Sequence, residues 1–476
     1  MNLSDFLHEI PGAQLSGDAE IMGLCTDSRV AGRGDAFFCF QGTRADGHTF
    51  AEEAVLRGVS AVVCEKRLPL QIPQLIVPDG REGMARIAAA FYRHPERSLK
   101  VIGVTGTNGK TTTSAMIAEI LSAAGVKVGL IGTLGAKYGS VAVPPSLTTP
   151  DPVCLFSLLA DMLAAGVETV VLEVSAHALA LRKEVPLVYD VAVFTNLTRD
   201  HLDFFGDMQS YGAAKKLLFT PERSRFAVLN ADDPFTAELM RSGIPHMTYG
   251  LESPADAFAI VENEGLRACR VLINAEDELC EAEIPFTGRH NILNALAAAC
   301  AAKKMGANAE AIAEGLRRTR VEGRLEWVAS VNGGDIFVDF AHTPDGLQKS
   351  LTALREHCNG RLIALFGCGG NRDTGKRPKM GKIAAACADF CVLTSDNPRY
   401  EDPVAILSEI EAGVRSVSGA YVVVEEREKA IRYAVEHLSE GDILLVAGKG
   451  AEKYQEIMGI KYDYDDKAVI KSLIGK

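Results

Sequence analysis

Val101-Ile-Gly-Val-Thr-Gly-Thr-Asn-Gly-Lys-Thr-Thr-Thr113 decides how this chain is read. An apolar, β-branched run enters a glycine-rich turn, and Lys110 with three threonines leads into the helical pattern Ser114 to Ala124. That is a strand, a phosphate loop and a helix. A helix N-terminus offers unpaired N–H groups and a positive dipole end to an anion. Gly106 and Gly109 let the backbone wrap a phosphate, with Thr107 and Asn108 between them. Lys110 can reach the β- and γ-phosphate oxygens, and the hydroxyl of Thr111, followed by Thr112, can ligate Mg²⁺. The strict P-loop spacing requires glycine at position 104, where Val104 stands, so the signature is the shorter Gly-Thr-Asn-Gly-Lys-Thr form.

At 476 residues the chain is too long for one core, and about two to four domains are expected. A hydrophobic fraction of 47% and a charged fraction of 24% are ordinary for a globular protein. The net charge of −12, from 50 basic and 62 acidic residues, argues against nucleic acid or an anionic membrane as the main partner. The eleven cysteines form no C-x-x-C pair, and Cys64, Cys300 and Cys391 lie in apolar runs, so buried free thiols in a reducing compartment are expected. Met1 to Ile10 has neither a basic nor an apolar leader region, and no run approaches the eighteen or so apolar residues of a membrane span. These features imply a cytoplasmic protein.

Residues 1–98 read as a first α/β domain. Strand-like runs Ala36–Phe40, Ala61–Glu65 and Gln74–Val77 alternate with a helical stretch Phe50–Arg57. Thr26-Asp-Ser-Arg29 and Gln41-Gly-Thr-Arg-Ala-Asp-Gly-His48 are polar clusters that by themselves read as turns. From 99 to 321, strands Val101–Val104, Lys127–Ile131, Thr169–Val174, Val191–Asn196 and Phe226–Asn230 alternate with helices, the rhythm of a parallel, doubly wound sheet. Ligands of such sheets lie beyond the carboxyl ends of the strands. Glu173 ends one of these strands; Asn196 ends the next and leads to His201, with Lys215 following. Glu173 and His201 can join Thr111 as Mg²⁺ ligands. A third, Rossmann-like domain spans 322–476, where strands end in Asp339-Phe-Ala-His-Thr-Pro344, Gly367-Cys-Gly-Gly-Asn-Arg372, Ser395-Asp-Asn-Pro-Arg399 and Gly448-Lys-Gly450. Gly367 to Gly370 lacks the G-x-G-x-x-G spacing and its downstream acid, which discounts NAD.

The set Gly106-Thr-Asn-Gly-Lys-Thr-Thr112, Glu173-Val-Ser-x-His177, Asn196-Leu-Thr-Arg-Asp-His-Leu-Asp203, Gly288-Arg-His-Asn291 and Asp339-Phe-Ala-His-Thr-Pro344 resembles the Mur ligase family. These enzymes use ATP to add amino acids to the peptidoglycan precursor. The resemblance covers nearly the whole chain, Thr26-Asp-Ser-Arg29 included. It implies an N-terminal UDP-binding domain, a central P-loop ATPase-like domain and a C-terminal domain for the incoming amino acid. Thr26, Ser28, Thr43, Arg44 and Ala45 match positions at the nucleotide of UDP-N-acetylmuramoyl-L-alanyl-D-glutamate; Thr148, Thr149, Ser175 and Lys183 match positions along its muramoyl-dipeptide. Asn294, Arg324 and Asp339 match ATP contacts. Thr111, Glu173, His201 and Lys215 would hold two Mg²⁺ ions, with Lys215 carried as a carbamate. Arg372, Asp396, Asn397, Pro398, Arg399, Gly448 and Glu452 match the amino-acid pocket. Asp396-Asn-Pro-Arg399 looks like the motif of members that use meso-diaminopimelate, where lysine-adding members usually lack the arginine. The resemblance further implies a cytoplasmic monomer serving cell-wall synthesis, cell shape and cell division.

The chain departs from the pattern at four places. Leu181-Arg-Lys183 stands where relatives carry Gly-Arg at the last two positions, which points to Lys183 rather than Arg182 at the substrate. Phe205 and Ala451 replace common histidines, and Phe340 a common tyrosine. Three other readings share the phosphate loop. The same ligation with L-lysine differs only in the amine. A folylpolyglutamate-type ligase would lack the first domain with Asp27-Ser-Arg29, and a P-loop ATPase or nucleotide-gated binding protein would need neither acceptor nor amine.

Overall fold

A computed structural model of the chain describes residues 1–42, 45–417 and 420–474. Three main sheets follow one another along the sequence. The first consists of β1 (Gln14–Ser16), β2 (Gly23–Cys25), β3 (Asp35–Cys39), β4 (Ala61–Cys64) and β5 (Gln74–Ile76), in the order β1-β5-β4-β3-β2. Strands β2 to β5 are parallel, and β1 closes one edge antiparallel to β5. Ala36, Phe38, Val63 and Leu75 pack on one face against Leu3, Phe6 and Ile87. Phe37, Val62 and Cys39 pack on the other against Ala51 and Ala54. A sheet covered on both faces needs unbroken apolar strands, which is why the Ala-Val-Val-Cys run of β4 is buried throughout.

The second sheet comprises β6 (Lys100–Thr105), β7 (Val128–Gly132), β8 (Gly135–Tyr138), β9 (Val141–Val143), β10 (Thr169–Glu173), β11 (Val191–Phe194), β12 (Ala227–Asn230), β13 (His246–Gly250), β14 (Ala257–Glu264), β15 (Cys269–Ala275) and β16 (Glu278–Ile284). Its order is β16-β15-β14-β13-β12-β11-β6-β10-β7-β8-β9. The expected strands are present, and the pairs β7–β10, β12–β13 and β13–β14 are parallel. The sheet extends beyond the expected strands at both ends, where it turns antiparallel through β8–β9 and β14–β15–β16. The reason is connection length. Parallel neighbours need a crossover of a dozen or so residues, whereas β15 and β16 are joined only by Glu276 and Asp277, at φ 52° and 61°.

The third sheet holds β17 (Glu326–Val331), β18 (Gly334–Asp339), β19 (Leu362–Phe366), β20 (Phe390–Leu393), β21 (Tyr421–Val423) and β22 (Ile443–Ala447), in the order β17-β18-β22-β19-β20-β21. It is parallel from β18 to β21, with β17 antiparallel at one edge. A small hairpin of β23 (Tyr454–Ile457) and β24 (Ile460–Asp463) follows. Arg427 and Asp466 form an ion pair of 2.8 Å with both side chains fully buried, and Arg427 also donates to the Ala447 carbonyl at 2.9 Å. This fixes the C-terminal helix Asp466–Ile474 to the end of β22, immediately before Gly448.

The chain forms two compact units. The first is Met1–Gly103 with Val126–Ala192 and Ala214–Phe226; the second is Val104–Gly125 with Val193–Ala213 and Ala227–Lys476. No helix among the described residues is long and apolar enough to cross a membrane.

Candidate active site

In the second unit, the phosphate loop joins the end of β6 to the helix Lys110–Ala123. Gly106 at φ 152° and Gly109 at φ 85° adopt backbone conformations that a side chain would strain. A Cβ on Gly109 would also lie 2.4 Å from Asn294 Oδ1, so Asn294 closes against the loop itself. Thr113 Oγ1 donates to the same Asn294 oxygen at 3.3 Å. The Lys110 ammonium folds back over the turn and donates to the carbonyls of Gly106 and Thr107, each at 2.9 Å. The strand-end segment 195–198 braces the loop from beneath. Asn196 accepts from the Asn108 N–H at 3.0 Å and donates to its carbonyl at 3.1 Å. Thr107 Oγ1 donates to the Thr198 carbonyl at 3.1 Å and accepts from its N–H at 3.0 Å. A helix N-terminus held this way is preorganised for an anion.

Residues of the third sheet reach this loop. Arg324 donates to Thr111 Oγ1 at 3.2 Å while its guanidinium lies 4.3 Å over the Phe340 ring. The substitution of phenylalanine at 340 thus keeps an aromatic platform for that arginine. Asp339 Oδ1 accepts from the N–H groups of Leu325 and Phe340 at 3.1 and 2.8 Å, and burial raises the pKa of its carboxyl. Asn108 donates to Asp345 Oδ2 at 2.8 Å, which Lys349 also holds at 2.9 Å.

Asp200 is the residue that sequence reasoning passed over here. It is buried, its Oδ2 lying 3.5 Å from His201 Nε2 and 3.8 Å from His342 Nε2. Burial alone would raise its pKa, but His201, His342 and the Lys376 ammonium outweigh this and hold it at about 2. His342 is pushed down to about 4 by burial and by Lys376. The signal was present in Thr-Arg-Asp-His201, read for its histidine only.

The first unit carries the other expected residues. Glu173, 2% exposed, accepts from the Thr133 N–H at 3.0 Å and from Thr133 Oγ1 at 2.9 Å. Thr148 Oγ1 lies 3.1 Å from the same Thr133 hydroxyl. Thr149 donates to the Glu173 carbonyl at 2.8 Å and accepts from the Ser175 N–H at 2.9 Å, which places Ser175 at the cap of the helix Ala176–Ala180. Lys215 is buried near the end of the helix Met208–Lys216. Of the expected metal ligands, Glu173 and Lys215 thus belong to the first unit, Thr111 and His201 to the second.

A cavity of about 920 Å³ also lies within the first unit, lined by Thr26, Ser28, Phe38, Ala45, Arg81 and Lys183 among others. Lys183 pairs with Asp151 at 2.5 Å, and Ser28 donates to Glu53 at 2.8 Å. Arg182 instead pairs with Glu82 at 2.6 Å and is absent from the lining. Thr43 and Arg44 lie outside the described residues.

The fourth group surrounds the end of β20, in the second unit. Asn397 donates to Glu452 Oε2 at 2.9 Å, and its own Oδ1 accepts from the Glu456 N–H at 3.0 Å. Asp396 is buried beside Gly448; burial opposes its ionisation, but Lys449 and Arg427 keep its pKa below the usual value. Arg399, at φ 52°, donates to the Gly370 carbonyl at 2.8 Å, and its Nε lies 3.2 Å from Glu456. The Pro398 carbonyl abuts Gly370, and Arg372 is exposed on the adjoining turn.

Comparison with known proteins assigns the chain. The catalytic domain of the Mur ligase family matches residues 20–92, the Mur ligase middle domain residues 104–302, and the Mur ligase glutamate ligase domain residues 323–450. UDP-N-acetylmuramoyl-L-alanyl-D-glutamate–2,6-diaminopimelate ligase of Geobacillus thermodenitrificans (strain NG80-2) is 42% identical, over 100% of this chain and 99% of that protein. A solved structure of a UDP-N-acetylmuramoyl-L-alanyl-D-glutamate–2,6-diaminopimelate ligase is 32% identical, with a TM-score of 0.67 over 96% of this chain and 95% of its own. MurF from Acinetobacter baumannii, 20% identical, shares the fold with a TM-score of 0.69 over 99% and 98% of the two chains. With full-length relatives at this identity and all three segments matched in order, the chain belongs to the Mur ligase family.

Proposed function

We propose that this ligase joins meso-2,6-diaminopimelate to the D-glutamate of UDP-N-acetylmuramoyl-L-alanyl-D-glutamate, driven by ATP, through an acyl phosphate. The observation that carries the amine is Arg399, a guanidinium set at the end of β20 within the Asp396–Arg399 turn. Full-length relatives that are 2,6-diaminopimelate ligases by name support the same substrate pair. Amide formation at neutral pH requires the acceptor carboxylate to become an electrophile. Its oxygen takes the γ-phosphoryl group of ATP, ADP leaves, the amine attacks the acyl carbon, and phosphate departs with loss of a proton. Such a transfer needs positioning and charge neutralisation more than covalent help. Lys110 and the N–H groups of residues 106–110 would neutralise the phosphates, Asn294, Arg324 and Asp339 would hold the nucleotide, and Thr26, Ser28, Ala45 and Lys183 would anchor the UDP-linked acceptor in its cavity. Thr148, Thr149 and Ser175 are assigned to its peptide, and Arg372, Asp396, Asn397, Pro398, Arg399, Gly448 and Glu452 to the amine.

Mur ligases use ATP with Mg²⁺, and we assign two ions to Thr111, Glu173, His201 and Lys215. The donor chemistry fits: the Glu173 carboxylate is buried against the neutral donors of Thr133, and carboxylate oxygens suit a hard cation. When bound, Mg²⁺ would offset the charge of the phosphates. Lys215 is 1% exposed, and a bare ammonium there would repel the metal. Its neutral amine with CO₂ gives a carbamate and a proton, converting the side chain into an oxygen ligand. Intact-mass measurement of active enzyme should show the added CO₂, and Lys215→Ala should be inactive but rescued by short carboxylates. Full activity with an unmodified lysine would remove the carbamate from this account. The enzyme is assigned to the cytoplasm as a monomer, in cell-wall biogenesis. The whole reading is tested by phosphate release measured with and without the acceptor and each candidate amine.

A further inference from the structure

Lys449 is completely buried, yet it takes no part in the reaction outlined above. Its ammonium donates to Asn397 Oδ1 at 3.0 Å and to Glu452 Oε2 at 3.1 Å. Asn397 Nδ2 donates to the same Glu452 oxygen at 2.9 Å, and the Glu456 N–H donates to the same Asn397 oxygen at 3.0 Å. The triangle has one chemical solution. Two donors converge on Asn397 Oδ1, which fixes the amide orientation, and two converge on Glu452 Oε2, which fixes that carboxylate. Gln455 Nε2 donates to the Asp396 carbonyl at 2.7 Å, and the Tyr454 ring lies 5.5 Å from the ammonium, so the start of the β23 hairpin closes around it. Without Lys449, Asp396 and Glu452 would share a largely buried space with one compensating cation fewer. A buried cation that loses its partners, or leaves them uncompensated, is expensive, so this arrangement is not incidental.

We propose that Lys449 is a positioning residue of the amine pocket: it locks Asn397 and Glu452 into the geometry that receives the ammonium group of the incoming amino acid. This rests on the assignment of Asn397 and Glu452 to the amine, but not on which amine is used. A lone surface lysine between two glycines would do nothing of the kind. Here both neighbours, Gly448 and Gly450, lie against other chain segments (Asp396, and Gly323 with Phe340), which keeps the lysine backbone in place.

The test is steady-state kinetics of the full-length enzyme with diaminopimelate and, separately, L-lysine as the amine. Lys449→Met should raise the KM for the amine that the wild type uses by about 30-fold, the loss expected when charge-assisted hydrogen bonds lose their donor. It should leave the KM values for ATP and the UDP-linked acceptor within about twofold and reduce kcat far less than it raises the amine KM. Lys449→Gln, which keeps a donor but no charge, should fall between the two and serves if the methionine variant does not fold. Glu452→Gln supplies the second arm: combined with Lys449→Met it should add little to the amine KM, because the two act as one unit. A general structural role predicts the opposite, with all three KM values rising together or the two substitutions multiplying, and either result overturns the proposal. If the wild type prefers lysine, the diaminopimelate assignment fails while the Lys449 effect, read on the lysine KM, stands or falls by itself.

Discussion

Lys110→Ala should lower ligation turnover by about 1,000-fold, equivalent to ~4 kcal/mol of transition-state stabilisation, without disturbing binding of the UDP-linked acceptor. The ammonium lies over the phosphate loop, held at 2.9 Å by the carbonyls of Gly106 and Thr107. Those two contacts keep the cation at the turn that would enclose a phosphate. Replacing it with alanine removes the cation that meets the developing charge of the transferred phosphoryl group. The loop itself should survive the change, since Thr195 Oγ1 still donates to the Asn108 carbonyl at 2.6 Å and Asn196 still bonds both the N–H and the carbonyl of Asn108. The acceptor cavity belongs to the other compact unit, which is why acceptor affinity is the control. Turnover and acceptor titration together check this; wild-type turnover in the variant would mean that the loop does not hold ATP.

Arg399→Ala should cost about 30- to 1,000-fold in selectivity for diaminopimelate over lysine, a loss on the order of 2–4 kcal/mol. Diaminopimelate differs from lysine by one carboxylate, and a guanidinium is the side chain suited to read it. The structure holds this arginine firmly in place. Its backbone is held at φ 52° by the Arg399 N–H donating to the Glu456 carbonyl at 3.0 Å and by the Met458 N–H donating to the Arg399 carbonyl at 2.7 Å. The Gly370 carbonyl and the Glu456 carboxylate then orient the guanidinium. Because Glu456 already occupies the Nε side, an incoming carboxylate meets a partly satisfied arginine, which favours the lower half of the range given. The KM for diaminopimelate should rise far more than those for ATP and acceptor. A variant that retains the preference for diaminopimelate would place the reading of that carboxylate elsewhere, while the phosphate-loop assignment would be untouched.

What was legible in the sequence was local. The strand before Gly106, the glycines and the threonine-led helix are one continuous stretch, so periodicity and turn chemistry specify them together. Strands such as β10 and β19, buried in every residue, read directly as apolar runs. The hairpins were not read, although Asn332-Gly333, at φ 52° and 81° between β17 and β18, carries a strong turn signal and could have been. Lys449 was not legible at all. Between two glycines it resembles a solvated loop lysine, and only the fold brings Asn397, 52 positions earlier, to its ammonium. The sequence shows Asp200 beside His201, but the rest of its environment, His342 and Lys376, comes from far along the chain. Arg399 stood out in the sequence within Asp396-Asn-Pro-Arg399, but its pairing with Glu456, made through the β23 hairpin, was not legible.

The central claim, that ATP is turned over only to activate a bound carboxylate for an amine, is tested most directly by phosphate release from the purified enzyme. ATP alone, ATP with UDP-N-acetylmuramoyl-L-alanyl-D-glutamate, and the complete mixture with diaminopimelate should be compared at one enzyme concentration. The account predicts sustained release only in the complete mixture, with one amide formed per phosphate. Release at the full rate from ATP alone would contradict it, and would make the phosphate loop that of a plain ATPase.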